Sequence, residues 1–215
     1  MSMNPNRNRL IASLADDLKP VRRFRLRDGA LLVALAVLAS LIGVEIVEGL
    51  WRGILAGEPA PFFWVTNGML MLLGVAATAA VLAMASPAVG RRYDAPKWAS
   101  AMLGVLPIAA IINFLPQSKG VGALVDPSTL HCVVSSLATA LVSGLALTLW
   151  LRRGAPVSHQ TAGWFTGIAA GSLGTLVYGF SCTMDTVTHL GIWHIAPVAI
   201  SAIVGRIAVP RIISW

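Results

Sequence analysis

Six stretches of mostly apolar residues, each close to the length needed to cross a lipid bilayer, constrain this chain more than any other feature. They run from Gly29 to Leu50, Phe62 to Ser86, Trp98 to Leu115, Thr129 to Leu151, Ala162 to Ser181 and Val187 to Ala208. A hydrocarbon core takes about 20 such residues per helix, and all six meet that requirement to within a few residues. Composition agrees, since 56% of residues are hydrophobic and only 12% charged, outside the usage of soluble domains. The expected fold class is an all-α integral membrane protein with six transmembrane helices. The third stretch is the shortest and carries Pro107 and Asn113, so it is the one expected to kink or tilt.

A net charge of +7 invites a nucleic-acid reading until the positions of the cations are examined. Arg7, Arg9, Lys19, Arg22, Arg23, Arg25 and Arg27 precede the first stretch. Arg91, Arg92 and Lys97 separate the second from the third, Arg152 and Arg153 follow the fourth, and Arg206 and Arg211 close the chain. That places 14 of the 16 Lys and Arg on one side of the membrane and leaves only Arg52 and Lys119 on the other. The positive-inside rule then predicts a cytoplasmic N-terminus and C-terminus. Topology accounts for the excess charge, so no direct nucleic-acid binding is expected. The 28 residues before the first apolar stretch do not read as a cleavable signal peptide. Two units are expected: a cytoplasmic tail over residues 1–28 and a transmembrane unit over 29–215.

The tail has its own pattern. Asn4-Pro5 reads as an N-cap followed by proline in the first turn, and Pro20 ends the run, predicting a short helix between them. Leu10, Ile11, Leu14 and Leu18 form a narrow apolar stripe, with Arg7, Ser13, Asp16 and Asp17 lying off it. So short a helix gains stability by laying its stripe against something. Docking into a groove on a soluble partner and lying on the bilayer are both consistent with the pattern, the latter helped by Arg22, Arg23, Arg25 and Arg27 as membrane-surface anchors. Asp16 and Asp17 weigh against lipid alone.

The predicted loops on the side opposite the tail are short, so a signal from that side must be read at the membrane rim. Both cysteines of the chain, Cys132 and Cys182, fall there at similar depth. His131 and Asp126 neighbour the first, Asp185, His189 and His194 the second, while Glu45, Glu48 and Arg52 share a face at the end of the first stretch. Thiolate, imidazole and carboxylate together suit a soft or borderline metal ion, and two thiols on an oxidising face also suit a disulfide. The spacing is not a recognised metal motif. His189 and His194, five residues apart, point about 140° away from each other on a regular helix. On chemistry alone the cysteines read equally as a sensor site with a metal ion at the rim or as small packing residues beside histidines at a wet interface. Gly163, Gly167 and Gly171 repeat every four residues and Ser136, Ala140 and Gly144 echo them, which reads as close helix packing.

Enzyme signatures are missing. There is no H-E-x-x-H, C-x-x-C or P-loop motif. Ser172 with His194 is reminiscent of a rhomboid-type dyad, but the Gly-x-Ser-Gly order is absent. A small metal or ion transporter is the other alternative, weakened because the ionisable groups cluster at one rim and mark no route through the inner half.

Leu10-Ile11-x-x-Leu14, then Asp17-Leu18-Lys19-Pro20-Val21-Arg22-Arg23, His131-Cys132, Leu151-Arg152-Arg153-Gly154-Ala155-Pro156 and Cys182-x-x-Asp185 with Trp193 downstream resemble the NrsF-type membrane anti-sigma factors of proteobacteria. The resemblance covers nearly the whole chain. It implies a non-enzymatic protein of the bacterial inner membrane whose tail holds an extracytoplasmic-function sigma factor. Leu10, Ile11, Leu14, Asp17, Leu18 and Val21 would contact that factor, and Cys132 and Cys182 on the periplasmic side would sense metal or oxidative stress and cause its release. The chain departs from the family pattern at Ser181, where histidine is usual, and at His194, where tyrosine is.

Overall fold

The computed structural model describes residues 5–16, 25–87, 90, 93–117 and 127–214, in which helices are joined by turns and short loops, with no strand among them. In chain order the helices are α1 (Pro5–Asp16), α2 (Leu26–Val47), α3 (Gly53–Ala56), α4 (Pro61–Met84), α5 (Ala95–Leu103), α6 (Val105–Phe114), α7 (Pro127–Arg152), α8 (His159–Gly179), α9 (Val187–Trp193) and α10 (Ala196–Ile213). Among the described residues, five runs are long and apolar enough to cross a membrane: Leu26–Val47, Pro61–Met84, Ala95–Phe114, Ser128–Arg152 and Val187–Ile213.

Two of these runs are broken, and proline explains both interruptions. Pro107 has no N–H to give the carbonyl of Leu103 and its ring crowds that carbonyl, so α5 stops at Leu103 and the chain turns at Gly104 before α6. The same relation holds between Pro197 and Trp193. Here α9 ends at Trp193, His194 and Ile195 form a turn, and α10 starts at Ala196. The first break falls in the stretch expected to kink; the second was not anticipated.

Helix α8 is the packing axis. It opens on Ser158, whose hydroxyl accepts from the Thr161 amide at 3.3 Å, and it is buried almost throughout from Ala162 to Gly179, with α4, α7 and α10 around it. Glycine makes that possible. A methyl group on Gly171 would lie 2.7 Å from Val198 Cα, and one on Gly163 would lie 2.5 Å from the carbonyl oxygen of Gly205. On the neighbouring face, Gly174 meets the backbone of Ala140, and Gly144 faces Ala170. The small residues predicted for packing therefore sit where backbone approaches backbone.

At one end of the bundle the turn after α4 is joined to the turn after α7 by the Ala155 amide, which donates to the Ala85 carbonyl at 2.9 Å. Trp150 Nε1 donates to the Leu82 carbonyl nearby, and Gly29 of α2 packs against Leu82 and Trp150. The basic residues Arg27, Arg152 and Arg153 cluster there. In α1, Leu10, Ile11 and Leu14 are each more than half exposed, so its apolar stripe is uncovered. Asp17, Leu18, Val21, Arg22 and Arg23 lie outside the described residues, as do Lys119 and Asp126. Arg25 and Arg27 are described and exposed at the start of α2.

Candidate thiol and imidazole centre

At the other end of the bundle, three elements meet around two sulfur atoms. Cys132 lies in the second turn of α7, Cys182 lies three residues past the end of α8, and His189 lies in α9. All three are buried, at 3%, 4% and 4% exposure. Cys132 Sγ is 3.7 Å from Cys182 Sγ, and Cys182 Sγ is 3.6 Å from His189 Nε2. A disulfide would need about 2.05 Å between the sulfurs, so these are reduced thiols in contact. Tyr178, the next-to-last residue of α8, points its hydroxyl at Cys132 Sγ from 3.8 Å.

The backbone that carries Cys182 is held from several sides. The Ser181 hydroxyl donates to the Gly49 carbonyl at 2.6 Å and the Trp51 amide donates to the Phe180 carbonyl at 2.8 Å, which fastens the end of α8 to the end of α2. Gly49 itself has a φ of 77°, a left-handed conformation that closes α2. Asp185 Oδ2 accepts from the Ala60 amide at 2.8 Å, just before α4. Thr186 caps α9 by accepting from the His189 amide. His189 thus enters on a capped helix start immediately beyond a pinned loop.

The spacing of the three donor atoms fits a tetrahedral metal ion. With metal–sulfur bonds of about 2.3 Å and metal–nitrogen bonds of about 2.0–2.1 Å, tetrahedral angles put sulfur about 3.7–3.8 Å from sulfur and about 3.5–3.6 Å from nitrogen. The observed separations are 3.7 and 3.6 Å, and all three donor atoms lie within 4.8 Å of one another. Two thiolates and an imidazole are a soft to borderline donor set of the kind that selects zinc-like ions over magnesium or calcium. No fourth His, Cys or carboxylate among the described residues joins the group.

The other residues singled out at the rim are placed apart from this group. His131, adjacent to Cys132 in sequence, turns away from the sulfurs: its Nε2 is 3.0 Å from Glu48 Oε2 and its ring is 6.1 Å from that of Tyr178. Ser135 also donates to Glu48, at 3.4 Å, so Glu48 ties the end of α2 to the start of α7. Glu45 accepts from the Leu50 amide at 2.7 Å and pairs with Arg52. Asp185 serves the backbone before α4. His194 is fully buried with its ring centre 5.5 Å from that of His189, and neither of its ring nitrogens has a hydrogen-bond partner among the described residues. Ser172 Oγ has none either, so Ser172 and His194 form no dyad.

Tyr178, which touches Cys132, and Asn67, a neighbour of His194, had no place in the sequence argument. Tyr178 sits four residues before Cys182, one helical turn, a spacing that could have flagged it. Asn67 is an amide inside a span; it donates to the Phe63 carbonyl at 2.9 Å while its Oδ1 lacks a hydrogen-bond partner among the described residues. Both Asn67 Oδ1 and His194 face Gly179, where a methyl group would lie 2.6 Å from that oxygen and 3.7 Å from His194 Cε1. A polar residue within a membrane span is itself a signal.

The family model that describes NrsF, the negative regulator of sigma F, matches residues 14–215. The anti-sigma-F factor NrsF of Caulobacter vibrioides (strain NA1000 / CB15N) is 30% identical over 196 residues, covering 84% of this chain and 88% of that protein. No solved structure matches the chain.

Proposed function

The chain belongs to the NrsF family of negative regulators of sigma F, and from that premise we propose that it is a membrane-bound anti-sigma factor whose tail sequesters an extracytoplasmic-function sigma factor and whose thiol–imidazole centre releases it. The observation that carries the first half is the uncovered stripe of Leu10, Ile11 and Leu14 on α1. An amphipathic helix with an open apolar face is the form of a segment that docks in a groove on a folded partner. Inhibition is then occupancy: sigma surface needed for polymerase is covered and tethered to the bilayer. The role involves no catalytic step.

The orientation follows from charge and from α8. This helix is not among the five apolar spans, but its 21 residues reach about 31 Å at 1.5 Å per residue, enough to cross. Enclosed by α4, α7 and α10, it presents little surface to lipid and needs no strongly apolar exterior. Counting it as a sixth crossing puts both chain ends on the side of the 14 cations, the cytoplasm. Reporter fusions at Arg153 and at the C-terminus are expected to read cytoplasmic, and a fusion at Asp185 periplasmic. A periplasmic C-terminus refutes the arrangement.

The centre at the opposite rim supplies the switch. A signal shifts the holding and releasing states only by binding them unequally. Ligation by Cys132, Cys182 and His189, or oxidation of the two sulfurs to a disulfide, would bind the start of α7 to the segments after α8. The Glu48 contacts with His131 and Ser135 carry movement of α7 to α2, and α2 leads back to the tail. The test of sequestration uses the full chain in lipid nanodiscs with purified sigma factor. Leu14→Ala is expected to weaken binding several-fold or more, because anchors of a helix-in-groove contact cost more than about 1 kcal/mol when truncated. Affinity equal to wild type for Leu10→Ala, Ile11→Ala and Leu14→Ala alike excludes the stripe as the docking surface.

A further inference from the structure

A cavity of about 680 Å³ lies between α5, α8 and α10, near the basic end of the bundle and apart from the thiols. Its lining is divided. Lys97 of α5 and Arg206 of α10 stand at one end, with Trp164 of α8 beneath the arginine, whose guanidinium lies 5.9 Å from the indole centre. Leu103, Ile168 and Ile195 line the far end. Lys97 pairs with Asp94 at 3.0 Å, but both side chains are more than half exposed, and an exposed pair of this kind holds its lysine weakly. Arg206 has no carboxylate partner among the described residues.

The depth of the cavity identifies its ligand. From Arg206 back to Ile195 is eleven positions along the chain, about 16 Å at helical rise, close to half of a hydrocarbon core of about 30 Å. The apolar part therefore spans one leaflet, with two cations and a tryptophan at headgroup level, where aromatic side chains and basic pockets between membrane helices meet lipid phosphates. The break at Gly104, imposed by Pro107, turns the chain at the α5 wall of this space, and Gly104 itself lines it. A soluble anion would use the cations and leave the apolar slot empty; a neutral hydrocarbon would use the slot and leave the cations idle.

We propose that this cavity is a binding site for one anionic phospholipid of the leaflet at the basic end, its phosphodiester between Lys97 and Arg206 and an acyl chain between α5 and α10. The site is independent of the thiol centre and of the sigma-binding tail. Native mass spectrometry of the full chain released from detergent, titrated with phosphatidylglycerol or with phosphatidylcholine of the same acyl composition, tests it. The wild type is expected to hold one phosphatidylglycerol at least about tenfold more tightly than phosphatidylcholine, because each cation near the headgroup favours the anionic lipid. The Lys97→Gln, Arg206→Gln double variant is expected to lose that preference. Ala199→Trp, which fills the cavity from α10 without changing charge, is expected to lose both lipids while unfolding at the wild-type temperature in lipid-free detergent. Equal binding of the two lipids by the wild type, or a preference that survives in the double variant, overturns the proposal. So does displacement of phosphatidylglycerol by soluble glycerol phosphate, which would mean an anion site with no use for the slot.

Discussion

Serine at Cys132 or at Cys182, or alanine at His189, is expected to lower the affinity of the purified full chain for zinc by more than about 100-fold, beyond what loss of an outer-shell contact does. Each replacement removes one of three donor atoms whose separations of 3.7 and 3.6 Å match two edges of a tetrahedral site. The remaining two donors cannot hold the ion with comparable strength. Because the three act as one unit, the double serine variant is expected to be no worse than either single one, and that non-additivity is the signature of a shared site. The same variants should leave the tail's hold on the sigma factor intact and remove the response of a sigma-dependent reporter to metal. Asp185→Asn is the contrasting change. Its carboxylate accepts from the Ala60 amide and touches neither sulfur, so metal affinity should stay near that of the wild type. Competition with a chromogenic chelator measures all of these. Zinc affinity unchanged in the single variants would sink the metal reading. If oxidant instead produced a Cys132–Cys182 disulfide, detected by mass spectrometry, and released the sigma factor without metal, the same two sulfurs would act through redox chemistry.

The second large effect lies in the bundle. Gly167→Leu is expected to abolish stable folding, with a destabilisation of about 3 kcal/mol or more, the upper range for overpacking. A side chain there would run into the backbone carbonyl of Ser201 and the Cα of Ala202. Backbone cannot swing aside as a flexible side chain can, so α10 would have to separate from α8 along the face where Gly163 and Gly171 also permit contact. In a membrane the cost is lost packing and lost small-residue contacts rather than lost hydrophobic burial. Gly43→Leu provides the comparison, since no other described residue lies within 4 Å of the position its first carbon would take, and it should fold normally. Thermal unfolding in detergent followed by size-exclusion chromatography distinguishes them. A Gly167→Leu protein as stable as Gly43→Leu would mean that the α8–α10 contact is not what holds the bundle together.

Much of the architecture was legible before any coordinates, because a bilayer leaves a chain few options. Long apolar runs must be helices, so the helical class and five of the spans follow from hydropathy with ends shifted by a few residues. The glycine repeat in α8 was likewise readable, since a residue without a side chain every fourth position has one evident use. Helix α8 was also located by its sequence, but its role as the enclosed axis was not, because enclosure depends on where α4, α7 and α10 come to lie.

The site divides along the same line. Two cysteines, three histidines and the acidic residues near one rim were visible as candidates, and the chemistry of the set could be stated from composition alone. Which of them converge could not. Cys182 and His189 lie in segments whose direction is set by non-local bonds: Ser181 to Gly49, Phe180 to Trp51, Asp185 to Ala60. A loop held this way takes its course from helices more than a hundred residues earlier, which local periodicity does not encode. The turn after α9, forced by Pro197, removes the regular helix on which the 140° argument about His189 and His194 rested, and brings the two rings within 5.5 Å. His131, next to Cys132 in sequence, instead faces Glu48, because consecutive residues on a helix project about 100° apart. The sequence by itself determined the helical class, the apolar runs long enough to cross a bilayer and the residues available near one end of them, since those depend on local composition. Only the tertiary structure decided that Cys132, Cys182 and His189 share one point, because that depends on helix packing and on loop bonds between residues far apart in the chain.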